Sequence, residues 1–170
     1  EYLDENHAYV ATLIDHIEAE LSYVLKMDSD NVNYKYAYGV ESQLLIKDRD
    51  SGAALFKPTE TIKPLTALEV DESTLVVNEK VNVDFAHYNE LAKSFITEYA
   101  LSGTSSELVI KMYVDVVGIS EQFEKDSESN YVIQLKIPLL KDTVNIATNS
   151  TVIQGEQKIL TRDTELMNTL

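Results

Sequence analysis

The chain has no cysteine. That single absence removes disulfides, thiolate-bound zinc, iron–sulfur clusters and thiol nucleophiles. Histidine is scarce: of the 3 present, His7 and His16 fall near the start and His87 stands alone. This is too little, too scattered, for a histidine-based metal site or a base-assisted nucleophile. With 5 glycines, phosphate-cradling loops are not expected, and no P-loop, G-x-G-x-x-G, G-x-S-x-G or H-E-x-x-H motif is found. Positive charge is also short, with 14 Lys+Arg against 29 Asp+Glu and a formal net charge of −15. Nucleic acids and anionic membranes attract clustered Lys/Arg, so neither is expected as a partner. No apolar run approaches the ~18 residues of a spanning helix, and no basic-then-apolar leader pattern is visible.

What is present is apolar material in a regular order. Hydrophobic residues make up 44% of 170, enough for a core and suited to one domain. The dominant period is two, the signature of half-buried strands. Ile17, Ala19, Leu21, Tyr23, Leu25 and Met27 alternate with Glu18, Glu20, Ser22, Val24 and Lys26. Asp28-Ser29-Asp30-Asn31 has turn chemistry, and the next strand carries Tyr34, Tyr36, Tyr38, Val40, Leu44 and Ile46 on one face. Asp48-Arg49-Asp50-Ser51-Gly52 reads as a hairpin turn, with Gly52 supplying a positive φ before Ala53 to Lys57 resumes the strand. Pro58 and Pro64 confine the following stretch to an edge or a loop. Leu75, Val77, Val81, Val83 and Phe85 alternate again.

The period then changes. Tyr88, Leu91, Ala92, Phe95, Ile96 and Tyr99 recur at helical spacing, with Asp84 as N-cap and Ser102-Gly103 as the stop. Leu108, Ile110, Met112, Val114 and Val116 form a further strand, Ser120 to Asn130 a polar hairpin loop, and Tyr131, Ile133, Leu135, Ile137 and Leu139 the cleanest alternation. Thr143 to Ala147 and Thr151 to Leu160 read as shorter strands. The expected fold is mainly β: an antiparallel, Ig-like β-sandwich with one inserted amphipathic α-helix. Residues 1–160 form the single domain and 161–170 a tail or linker.

Two constellations bear on binding. Asp48-Arg49-Asp50-Ser51-Gly52 begins like a calcium loop, but no further ligand follows at the right spacing and no closing Glu. A plain turn uses the same residues for its own hydrogen bonds. Tyr34, Tyr36 and Tyr38, with Tyr23 across a hairpin, form an aromatic ladder; exposed, it could stack on a glycan, and buried, it is a structural cross-strand cluster. Asn149-Ser150-Thr151 spells a glycosylation acceptor of the kind that arises often by chance. The acids gather at residues 1–20 and Glu121 to Asn130 and otherwise spread over strand faces and turns, as on a solvated surface. No catalytic, cofactor-binding or metal-binding residues are assigned, and no cofactor is expected.

Several segments in order carry a resemblance: Tyr9-Val10-Ala11-Thr12-Leu13-Ile14-Asp15, Tyr36-Ala37-Tyr38, Val83-Asp84-Phe85-Ala86-His87-Tyr88-Asn89, Leu108-Val109-Ile110-Lys111-Met112-Tyr113-Val114 and Ile137-Pro138-Leu139. Together, over about Tyr2 to Ile146, they resemble an uncharacterised group of bacterial and archaeal membrane-anchored surface domains, domain-of-unknown-function family five-three-zero-five. Order and spacing carry the resemblance, since no single motif is specific. It implies an extracytoplasmic β-rich domain, anchored by hydrophobic segments outside this chain, often encoded near a type I signal peptidase and belonging to cell-surface assemblies. It supplies no catalytic or ligand residues. A start at Glu1 fits an excised or processed piece. The family's usual strand before the Tyr9 segment is then expected to be missing, leaving an edge that stays open or is filled by another chain. The functional expectation is a non-enzymatic extracytoplasmic module for contact with other surface proteins, through backbone pairing at an edge and side-chain recognition from a sheet face. The alternative is a glycan- or calcium-binding β-sandwich.

Overall fold

The computed structural model describes residues 8–10, 15–122, 127–141, 143–145, 147–148, 152–153 and 160–163. In chain order the elements are β1 (Ala8–Val10), β2 (His16–Met27), β3 (Val32–Asp48), β4 (Ala54–Phe56), β5 (Thr59–Glu72), β6 (Thr74–Asp84), α1 (Phe85–Glu98), β7 (Thr104–Ile119), β8 (Ser127–Leu139), β9 (Thr143–Asn145), β10 (Ala147–Thr148), β11 (Val152–Ile153) and β12 (Leu160–Asp163). The fold is mainly β, with antiparallel sheets and one helix, consistent with a β-sandwich. Among the described residues no helix is long and apolar enough to cross a membrane.

The large sheet runs β10-β8-β7-β3, with β4 and β5 taking successive stretches of the far side of β3; the small sheet runs β11-β12-β2-β6, and β1 pairs with β9. The alternation read from the sequence is the alternation of burial. In β2 every odd residue from Ile17 to Met27 is buried, and in β6 Leu75, Val77, Val81 and Val83 are. In β3, Tyr34, Tyr38, Val40, Leu44 and Ile46 are buried, and in β7 and β8 so are Leu108 to Val116 on even numbers and Ile133 to Leu139 on odd ones. These inward rows make one core between the sheets. Each fully buried Val, Leu or Ile contributes roughly 1.5–3 kcal/mol through lost contact with water.

The connection after β2 differs from the sequence expectation. The residue pattern at Asp28 to Asn31 suggests a hairpin, with Tyr23 across from the β3 tyrosines. Instead β2 pairs with β6 and β12, and β3 pairs with β4, β5 and β7, so this turn carries the chain from one sheet to the other. Ser73 makes the return crossing between β5 and β6. The crossings lie side by side, because Val32 is in register with Glu72 and Lys26 with Thr74. The Tyr34 hydroxyl donates to the Ser73 carbonyl at 3.0 Å, which satisfies a backbone group the crossing takes out of the ladders.

The Asp48–Gly52 turn does close a hairpin, with Gly52 at φ 74°. The helix starts where expected: Asp84 Oδ1 accepts from the His87 backbone N–H at 3.0 Å. It stops earlier than Ser102-Gly103, with Tyr99 as C-cap and Ala100 in the left-handed position at φ 48°. Its apolar side buries Phe85 and Ala92, while Phe95 stacks on Phe56 at 3.9 Å between centroids. The Tyr88 hydroxyl sits 2.6 Å from buried Ser42 and donates to Glu60 at 3.1 Å. The helix thereby closes the end of the sandwich opposite the crossings.

The β7–β8 hairpin is longer than the sequence suggested. Pairing starts at Gly118 with Ser127, so Glu128 to Asn130 lie in the strand and not in a loop. At the C-terminal end, β12 carries Thr161 to Asp163 into the small sheet beside β2; residues 164–170 of the expected tail lie outside the described residues.

Candidate interaction edge

Among the described residues β5 is bonded on one side only. Its register partners are all in β3, from Val32–Glu72 to Gln43–Thr59. In an antiparallel pair alternate residues turn their N–H and C=O away from the partner, so the other side of β5 presents a row of backbone groups that no described strand pairs with. Lys63 and Val70 are half-buried; every other side chain of the strand is exposed. Ile62, Leu65 and Leu68 are 40%, 63% and 43% exposed.

Pro64 falls at a fault in the ladder. Tyr38 pairs with Thr66 and Val40 with Lys63, so Pro64 and Leu65 together stand opposite Gly39. A proline has no N–H to give and is tolerated in strands at edges and bulges, as here. Gly39 is part of the arrangement: a Cβ there would come within 3.1 Å of the Leu65 nitrogen and 3.1 Å of the Lys63 carbonyl oxygen. The bulge rests on bare backbone.

Beyond the bulge, Thr66 to Glu72 pairs without interruption with Val32 to Tyr38. Register puts Thr66, Leu68, Val70 and Glu72 on the inward face of the large sheet and Ala67, Glu69 and Asp71 on the outward face. The Asn33 side-chain amide donates to Glu69 Oε1 and Asp71 Oδ1, each at 2.8 Å, and draws the two carboxylates together. Ala37 and Ala67, in register, floor a shallow depression of 770 Å³ on this face, bounded by Lys35, Glu69, Asp115, Glu128 and Asn130. Small residues on adjacent strands give it its depth, and its walls hold more acid than base.

The neighbouring edge, β6, is also unpaired on its outer side among the described residues. The two edges are clipped together. Lys63 Nζ donates to the Tyr38 hydroxyl at 2.8 Å and to Glu79 Oε2 at 3.2 Å, and lies 4.7 Å from the centre of the Tyr38 ring. The Tyr38 oxygen, with Glu79, holds the Lys63 ammonium above the ordinary lysine range. Glu79 occupies an inward position of β6, in phase with Val77 and Val81.

Comparison with family models, curated proteins and solved structures finds no match to the chain. The site therefore rests on its own geometry.

The residues singled out in the sequence do not gather here. Tyr34 and Tyr38 are buried and Tyr36 half-buried, so the ladder is packed into the core, with Tyr36 and Tyr38 stacked at 6.2 Å. Tyr23 belongs to the other sheet and meets Tyr131 at 6.3 Å. Asp48 Oδ1 accepts from the backbone N–H of Asp50 at 2.8 Å and of Ser51 at 3.1 Å, and these donors hold its carboxyl below the ordinary range. It is engaged in forming its own turn. In the Asp28–Asn31 turn the Ser29 hydroxyl lies 3.0 Å from the Ser120 hydroxyl just past β7. Among the described residues no group of three or more His, Asp or Glu is placed to hold a metal ion. His16 and His87 are exposed; His7 and Asn149 to Thr151 lie outside the described residues. The sequence reading missed Lys63, Glu79 and the acidic row of β5. The available signal was Glu79, a charge at an inward position of an alternating run.

Proposed function

We propose that the chain is a non-enzymatic extracytoplasmic module for protein–protein contact in a cell-surface assembly, and that β5 is its contact edge. The observation that carries the reading is a long strand, Thr59–Glu72, bonded to β3 on one side and exposed along nearly all its side chains. Such an edge offers a partner both a hydrogen-bond ladder and two rows of side chains. The exposed Ile62, Leu65 and Leu68 add apolar area at the same place. The polar clusters inside the fold tie element to element: Ser42–Tyr88–Glu60 joins the helix to the large sheet, and Tyr38–Lys63–Glu79 joins the sheets. The extracytoplasmic location and the anchor outside this chain come from the family resemblance, and an acidic, sheet-rich domain suits a solvated surface.

The test is photo-crosslinking in intact cells of the native host, with the reactive side chain at Leu68 and, as control, at exposed Lys93 of α1. Adducts with other surface proteins are expected from position 68 and not from 93. Equal yields would remove β5 as the contact edge. Failure of a membrane-impermeant label to reach the protein would remove the extracytoplasmic location.

A further inference from the structure

We propose that the edge of β5 from Thr66 to Glu72, unpaired among the described residues, takes up an extended segment of another protein as an added strand, and that this segment is basic on one face and apolar on the other. The inference rests on the reading of β5 as a contact edge and specifies the partner's chemistry.

Strand addition dictates a period of two in the incoming segment. Side chains on its outward face lie beside Ala67, Glu69 and Asp71; those on its inward face lie beside Thr66, Leu68, Val70 and Glu72. Leu68 is 43% exposed and Val70 half-buried, so the inward row offers apolar surface that β-branched side chains cover. The outward row carries two carboxylates held together by one neutral amide, that of Asn33. Among the described residues the ion pairs are Lys47–Glu107 and Lys63–Glu79, and neither reaches Glu69 or Asp71. Lys35 stands in register with Glu69, and Asp115 and Glu128 border the same depression, which leaves the face acidic on balance. Lysine or arginine on the added strand would supply the missing opposite charge across the new ladder.

A second copy of this chain fits poorly. Antiparallel pairing of β5 with itself sets the acidic row against its own image, and Lys63, the strand's single cation, already serves Glu79. A net charge of −15 on each copy adds repulsion. The bulge at Pro64 and Leu65 ends the regular ladder, so the segment that fits is short.

The experiment uses fluorescent peptides and the whole chain, read by anisotropy at low and high salt. One peptide alternates lysine with valine; a second replaces every lysine by glutamate; a third is the first with alternate backbone nitrogens methylated to block pairing. The expected result is salt-sensitive binding of the lysine peptide, about tenfold or more tighter than the glutamate peptide, and loss of binding on methylation. In the surface variant E69K/D71K, with unchanged circular dichroism, the preference reverses. If that variant does not fold, the peptide exchange decides alone. Equal binding of lysine and glutamate peptides would overturn the basic partner while leaving edge pairing intact. No binding by either, or binding indifferent to methylation, would overturn edge pairing as well. Dimers in sedimentation that are lost in E69K/D71K would assign the edge to a second copy and overturn the proposal.

Discussion

The Lys63 ammonium of one sheet donates to the Glu79 carboxylate of the other at 3.2 Å, and closes the open margin of the sandwich between β5 and β6. Glu79 stands where the strand's phase calls for an apolar residue. Its carboxylate is accommodated because the position lies at the margin, partly wet, and meets both a cation and the Tyr38 hydroxyl.

Removal of the cation is therefore expected to cost more than removal of the acid. Lys63→Met leaves Glu79 facing the core margin with a weakened set of partners, whereas Glu79→Leu extends the apolar row. The double variant should recover part of the Lys63→Met loss, and urea unfolding of the four proteins measures it; strictly additive losses would refute the coupling. The alkaline behaviour has a defined sign. Lys63 is held above its ordinary 10.5 by Tyr38 and Glu79, so its contribution is complete below that pH and is lost as pH rises through the folded value.

Gly118 and Met27 make a second inter-sheet pair. Gly118 lies on the inward row of β7, in register with Tyr34, and a Cβ there would collide with the Met27 sulfur. Met27 is 1% exposed and cannot retreat toward water. Gly118→Ala is expected to destabilise by about 1–3 kcal/mol through overpacking. Combining it with Met27→Ala should cost less than the two single losses together, measured by denaturant midpoints at constant slope.

The helix ends offer opposite changes. Asp84→Ala removes the acceptor for the His87 N–H and should cost about 1 kcal/mol. Ala100→Gly removes a side chain from the left-handed position at φ 48° and should add about 0.5 kcal/mol, the relief of strain being partly offset by glycine's freedom in the unfolded chain. Thermal unfolding of each variant checks the signs.

Stability should fall between pH 10 and 12 for a specific reason. Burial pushes the Tyr34 phenol up to about 12, against an ordinary 10.0, and the bond to Glu41 pushes Tyr113 up to about 12. In that window the unfolded chain has released these protons and the folded chain retains them, so rising pH favours unfolding. Tyr34→Phe should cost about 0.5–1.5 kcal/mol near neutrality, through the lost bond to the Ser73 carbonyl, and should flatten the alkaline decline. Tyrosinate absorbance and denaturation at a series of pH values test both effects.

Much of the fold was legible because its evidence is local. Ile17 to Met27 or Leu108 to Val116 needs only the alternation of strand side chains to be read, and Asp84 only the preference of a carboxylate for free helix N–H groups. Pro58 and Pro64 marked the following stretch as edge or loop, which proved to be the edge strand β5. The contact edge itself was not legible. Nothing near Glu69 and Asp71 in the chain indicates that Asn33, far away in sequence, draws them together. Nor does Lys63 announce its partner, since Glu79 reaches it only after Ser73 has carried the chain into the other sheet.

By itself, the sequence determined which residues face inward, where the helix begins and which turns need a positive φ, because these depend on side-chain period and local backbone sterics. The tertiary structure alone decided that β2 and β3, consecutive and alike in pattern, belong to different sheets, and that among the described residues β5 is paired on one side only. Burial of apolar rows is indifferent to which strand lies alongside, and any strand's backbone can bond to any other's. The choice among pairings is made by the whole set of strands filling one core, and so is the edge that remains open.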